Sequence, residues 1–191
     1  MRLILASASP RRAELLRAAG YEFDIVVADV DERARDGETP AEYVRRLAAE
    51  KSAAAMTLDG ELVVLGADTT VVVDGEILGK PRDDGEAAAM LRRLAGRRHE
   101  VLTGVSIRRG AHEVGRVEST AVWFSPLTTE DIAWYVASGE GRDKAGGYAI
   151  QGLASRFIPR IDGSHANVVG LPVSTVADLL AEIRQLDREP P

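Results

Sequence analysis

The chain opens on an apolar run that passes through small polar residues into Pro10, and this change of pattern predicts a short buried strand from Arg2 to Ala6 followed by a helix. Ser9 is a favoured N-cap residue, and Pro10 stands where a helix loses no needed hydrogen bond. The helix therefore starts there, runs through Leu15 and Leu16 toward Ala19, and stops at Gly20. A strand-like stretch from Phe23 to Val27 follows. Thr39, Pro40 and Glu42 form a capping-box pattern ahead of a second helix that carries Tyr43, Leu47 and Lys51. LVVLGAD and TTVVVDG read as two β-rich runs, with Asp74 and Gly75 as a hairpin turn before EILGKP. A further helix starts after Asp83 and ends near Gly96, with Met90, Leu91 and Leu94 on its apolar side.

Two long strand-like runs come next, HEVLTGVSIRR and EVGRVESTAVWF, and they are expected to pair across the glycine-containing connection between them. Thr128 caps a helix that runs to Ser138, a glycine-rich loop spans Gly139 to Gly152, and a strand-like stretch covers Ser155 to Ile161. The last helix opens at Pro172, and residues 185–191, ending DREPP, read as a frayed tail. Strands alternating with helices predict an α/β fold with a mixed sheet, and no repeat or linker divides residues 1–191 into more than one domain.

The composition narrows the function classes. A net charge of −6 without a basic arm argues against general attraction to nucleic acid or anionic lipid, so any polyanion must be captured locally. Arg92, Arg93, Arg97 and Arg98 form a local basic cluster, but no aromatic residues interleave with it for base stacking. The absence of cysteine removes disulfides, zinc–thiolate sites and a cysteine nucleophile, and fits a reducing cytoplasm. LILA is far shorter than the apolar core of a secretion signal, and no run approaches a membrane span, so a soluble protein is expected.

Candidate chemistry lies in a few motifs. At Ser7 to Arg12, a helix N-terminus with Arg11 and Arg12 beside it would receive phosphate well, although the stretch taken alone reads as a capped helix with two solvated arginines. Asp68, in GADT between two apolar stretches, is an acid where carboxylates are rarely buried unless paired, so it needs a cation or hydrogen-bond donors. Asp29, Asp31 and Glu32 are oxygen donors for a hard divalent cation, but an acidic loop by itself is simply solvated. GEILGKP is a near miss for a phosphate-binding P-loop, because Pro81 replaces the required hydroxyl residue; Lys80 remains a point charge for phosphate or a surface lysine. In DKAGGYAIQG, Lys144, Tyr148 and Gln151 sit in a loop able to enclose a small ligand, or else Tyr148 is tucked onto the core. The three histidines lack ligand spacing, and no serine-nucleophile elbow or dinucleotide loop is present.

LASASPRR, GADT, DGEILGKP, DKAGGYAIQG and NVVGLP, in this order from Leu5 to Pro172, together resemble the Maf family of nucleoside triphosphate pyrophosphatases. The resemblance implies an elongated mixed β-sheet flanked by helices, akin to inosine triphosphate pyrophosphatases, with the active site in a cleft of the sheet and commonly a homodimer. It implies a catalytic role for Asp68, with Ser7, Arg11, Arg12, Lys51 and Lys80 at the phosphates and Glu32 with Asp68 at a divalent metal, magnesium or manganese. Gln151, Arg11 and Thr69 match specificity positions of the dTTP/UTP type. The implied reaction is hydrolysis of dTTP and UTP to the monophosphate and pyrophosphate. A non-enzymatic regulator of septum formation and a pyrophosphatase for modified nucleotides are the competing readings. Whether Asp68 holds the metal, orients the water or accepts its proton stays open.

Overall fold

A computed structural model describes residues 2–56 and 62–186. Within them a seven-stranded mixed sheet runs in the order β2 (Phe23–Ile25), β1 (Leu3–Ala6), β3 (Val63–Val73), β5 (Arg98–Arg109), β6 (His112–Trp123), β7 (Arg160–Asp162), with β4 (Glu76–Leu78) on β3. The chain gathers into two compact units, and the divisions fall inside β3, β5 and β6.

The first unit takes residues up to Asp68, Thr103–Glu118 and the chain from Gly170 onward. β1 (Leu3–Ala6) pairs in parallel with β2 (Phe23–Ile25) on one side and β3 (Val63–Val73) on the other. Every residue of β1 is buried because both faces of the strand are covered, which is why it reads as a continuous apolar run and not an alternation. Leu3 and Leu5 pack with Leu65, with Leu16 of α1 (Pro10–Ala18) and with Leu179 and Ile183 of α6 (Val173–Leu186). Ile4 and Ala6 face the other way with Val64 and Ala55, at the end of α2 (Pro40–Ala54). α2 starts with the expected capping box, in which Thr39 accepts the Glu42 N–H and the Glu42 carboxylate accepts the Thr39 N–H.

The second unit holds the rest of β3, β4 (Glu76–Leu78), α3 (Asp84–Leu94), α4 (Thr129–Ala137), β7 (Arg160–Asp162) and α5 (His165–Val169). It also holds the early part of β5 (Arg98–Arg109) and the late part of β6 (His112–Trp123). Its core joins Val71, Met90, Leu91, Leu94, Val122, Phe124, Tyr135 and Phe157. Asp74 and Gly75 form the β3–β4 turn with φ of 54° and 79°, the left-handed pair a two-residue hairpin needs.

Two expectations are corrected. LVVLGAD and TTVVVDG are one continuous strand, β3, because the acid at Asp68 finds a partner without leaving the sheet. The stretch from Ser155 to Ile161 is not a strand throughout. Leu153–Phe157 forms a 3₁₀ turn, and only Arg160–Asp162 pairs, antiparallel to β6. Glu140 accepts the Leu153 N–H at 2.9 Å and so turns the backbone there, a long-range contact that local pattern does not carry. Gln185 and Leu186 end α6, and the DREPP tail lies outside the described residues.

Candidate active site

In the first unit, Ala6 pairs with Gly66, so the carboxyl end of β1, where Ser7 follows, lies beside the part of β3 that reaches Asp68 two residues later. Carboxyl ends of parallel strands feeding helix N-termini are where α/β proteins hold ligands. Ser9 is the N-cap of α1, but its side chain makes no cap bond. Ser7 Oγ instead accepts the Ser9 N–H at 3.2 Å and Arg12 Nη1 at 3.1 Å.

Arg12 is not a solvated arginine. It is 9% exposed, and its guanidinium donates from Nη1 to Ala67 O at 2.8 Å and from Nε to Gly170 O at 2.9 Å. A planar fork with fixed donors suits this task, tying the loop after β1 to β3 and to the segment before α6. Burial lowers its pKa, and Asp68 opposes that shift. Arg11, the next residue back, is half-buried.

Lys51 reaches the same place through a tight helix–sheet contact. A Cβ on Gly66 would meet Ala48 O at 2.2 Å and Ser52 N at 2.6 Å, and one on Gly104 would meet Val44 O at 2.1 Å. The two glycines thus form a bed on which the backbone of α2 lies directly. Lys51, 8% exposed, then donates to Asp68 Oδ1 at 2.7 Å and sits 2.6 Å from Glu32 Oε1. Asp68 is also 8% exposed, whereas the Glu32 side chain is 52% exposed. The cation that makes an acid tolerable in this apolar strand is therefore, in the protein itself, an ammonium. Tyr43 donates its hydroxyl to Glu32 O at 2.9 Å, and burial, then Asp68 and Glu32, push its pKa up to about 12.

The fold thus gathers Ser7, Arg12, Glu32, Lys51 and Asp68 in one unit. Asp31 instead bonds Arg33, which holds its carboxyl well below the usual range. Thr69, half-buried, and Lys80 and Gln151, both exposed, belong to the second unit. Tyr148 is buried against Phe124 with its hydroxyl 2.8 Å from His99 Nε2, so the tyrosine of the glycine-rich loop is a core residue. Lys144 is engaged by Glu140 O and Asp143. Residue pattern did not single out Gly104, Gly170 or the role of Tyr43. The available signal was small residues: Ala48 and Ser52, four apart on α2, opposite Gly66.

The donor chemistry suits a hard divalent ion. Among the described residues no three metal-binding side chains converge, but two carboxylates, Glu32 and Asp68, share one ammonium. Magnesium is commonly held by one or two carboxylates, with substrate phosphates and water completing its shell. Oxygen donors without sulfur or imidazole favour magnesium or manganese over zinc.

The mixed α/β sheet flanked by helices is a fold similar to that of Ham1 proteins. The Staphylococcus aureus Ham1 protein is similar with a TM-score of 0.54 at 16% identity, covering 95% of this chain and 99% of that one. A HAM1 protein from Coxiella burnetii gives a TM-score of 0.52 at 15% identity over 95% of this chain and 99% of that one. The family is narrower: the Maf-like protein family model matches residues 2–183, and the chain belongs to that family. It is 53% identical over 180 residues to a protein of Symbiobacterium thermophilum named dTTP/UTP pyrophosphatase, covering 94% of this chain and 93% of that one. A Syntrophus aciditrophicus protein of the same name is 48% identical, over 97% of this chain and 91% of its own.

Proposed function

We propose that the protein hydrolyses dTTP and UTP between the α- and β-phosphates, releasing the monophosphate and pyrophosphate. The observation that carries this reading is the Asp68–Lys51–Glu32 cluster beside the Ser7–Arg12 loop, in a chain whose relatives bear that activity in their names. Arg11, Arg12 and Lys51 bring three positive charges against the two of Asp68 and Glu32, which leaves room for a polyphosphate once a divalent ion faces the carboxylates.

Glu32 and Asp68 are the residues that would hold that ion. When bound, it screens the phosphate oxygens and makes water more acidic. Asp68 offers a fixed carboxylate to orient water and to accept a proton at Oδ. Lys51 holds that carboxylate in place by its bond to Oδ1 and brings positive charge toward the phosphates. Ser7 and Arg12 shape the loop that receives phosphate, and Arg11 supplies further charge. Gln151 carries an amide donor and a carbonyl acceptor side by side, complementary to O4 and N3–H of uracil or thymine.

A panel of dTTP, UTP, CTP, GTP and ATP with magnesium or manganese tests this. Pyrophosphate release is expected to be fastest from dTTP and UTP; an equal or faster purine rate overturns the base assignment, and orthophosphate as first product overturns the reaction. The same reading makes the protein a cytoplasmic homodimer that binds neither nucleic acid nor membrane. The net charge of −6 without a basic arm supports the last two points, and among the described residues no helix is long and apolar enough to cross a membrane. Light scattering on the eluted protein measures the oligomer.

A further inference from the structure

Gln151 is exposed, yet the backbone on both sides of it is pinned by a buried tyrosine and a half-buried glutamate. Tyr135, near the end of α4 and 1% exposed, accepts the Ala149 N–H on its hydroxyl at 3.0 Å and donates that hydroxyl to Glu140 Oε2 at 2.8 Å. Glu140 in turn accepts the Leu153 N–H on Oε1 at 2.9 Å and the Ala154 N–H on Oε2 at 3.4 Å. The residues two before and two after Gln151 therefore hang from a single hydroxyl–carboxylate unit. The fit is close, since a Cβ on Gly152 would fall 2.0 Å from Glu140 Oε1. Burial and the bond to Glu140 push the Tyr135 pKa up, so the hydroxyl keeps its proton and its role as donor.

We propose that Tyr135 and Glu140 are positioning residues that set which way the Gln151 amide faces a pyrimidine base. This rests on the reading that Gln151 recognises the base. Uracil and thymine offer an acceptor at O4 and a donor at N3, and cytosine offers the reverse. An amide turned over by half a rotation reads the reversed pattern equally well. Hydrolysis does not depend on that orientation, but discrimination does. Freedom in the loop therefore erodes the preference for UTP over CTP while leaving turnover intact.

The test is steady-state kinetics on UTP and CTP for Tyr135→Phe and Glu140→Gln, each made alone and in a Gln151→Ala background. Phenylalanine keeps the ring packing, and glutamine keeps the shape while removing an acceptor; melting curves check folding. Gln151→Ala is expected to lower the UTP/CTP ratio of kcat/KM by at least about tenfold, as for loss of a polar contact to substrate. Each positioning variant is expected to lower it about three- to tenfold through KM, with kcat for UTP within about twofold. In the Gln151→Ala background neither variant should change the ratio by more than about twofold, the non-additivity of residues acting through one another. A collapsed ratio in Gln151→Ala with unchanged ratios in Tyr135→Phe and Glu140→Gln overturns the positioning role alone. An unchanged ratio in Gln151→Ala overturns the base reading and the positioning role with it. Equal kcat losses for both nucleotides, or effects that persist without Gln151, assign the pair a structural role only and also overturn the proposal.

Discussion

Replacing Gly66 with alanine drives a methyl group into the backbone of α2. The new Cβ would stand 2.2 Å from Ala48 O, and ordinary contact begins at 3.4 Å, so the helix must retreat by about 1.2 Å. Backbone is on both sides of the contact, and Gly104 shows the same closeness to Val44, so no flexible side chain can absorb the strain. A retreat of that size carries the Lys51 backbone away from β3 and strains its 2.7 Å bond to Asp68. Overpacking of this kind costs about 1–3 kcal/mol, and a displacement of about 1 Å at a catalytic group costs about a hundredfold in rate. Urea unfolding of Gly66→Ala should show the loss in midpoint, and kcat/KM for UTP should fall by about two decades. A variant with the wild-type midpoint and kcat/KM within about twofold would refute the claim that this contact sets Lys51 against Asp68.

Lys51→Met leaves the Asp68 carboxylate, 8% exposed, without its ammonium, and should cost about 3 kcal/mol by urea unfolding together with most of the activity. Arg12→Lys cannot serve Ser7, Ala67 and Gly170 with one ammonium, and should lose about 1–3 kcal/mol in a thermal melt. His99 is buried, and burial, then Arg98, bring its pKa from 6.5 down to about 4. The unfolded chain therefore binds more protons than the folded one between those values, and the stability present above pH 6.5 is lost as pH falls toward 4, by about 3 kcal/mol in all. Urea midpoints at pH 4.5 and 7 should differ for the wild type by more than for His99→Gln; parallel pH profiles would contradict the assignment.

Much of the fold was legible because its signals are local. The capping box at Thr39, the helix cap at Thr128 and the Asp74-Gly75 turn depend on neighbours within a few residues, and all three stand where the pattern puts them. The misreadings occur where a distant partner decides. Asp68 looked like a break between two strands because its ammonium comes from a helix 17 residues earlier in the chain. Residues 155–161 look strand-like, but Glu140, 13 residues before Leu153, takes that residue's N–H and turns the chain ahead of them. The site divides the same way. Asp68 stands out from its apolar flanks, whereas the acidic loop of Glu32 by itself reads as solvated and Lys51 as an ordinary helical lysine, and only the family resemblance assigns them to the site. Arg12 read as solvated because its acceptors, Ala67 O and Gly170 O, are backbone atoms that no motif displays.

The most direct test of the Asp68 centre is turnover of UTP in ¹⁸O-labelled water with magnesium, for the wild type and for Asp68→Asn, with the label located by mass spectrometry. Attack at the α-phosphorus puts the label in UMP and none in pyrophosphate, and Asp68→Asn should fold normally yet lose labelled product by at least about a hundredfold. Label in the pyrophosphate, or a wild-type rate from Asp68→Asn, would contradict the account.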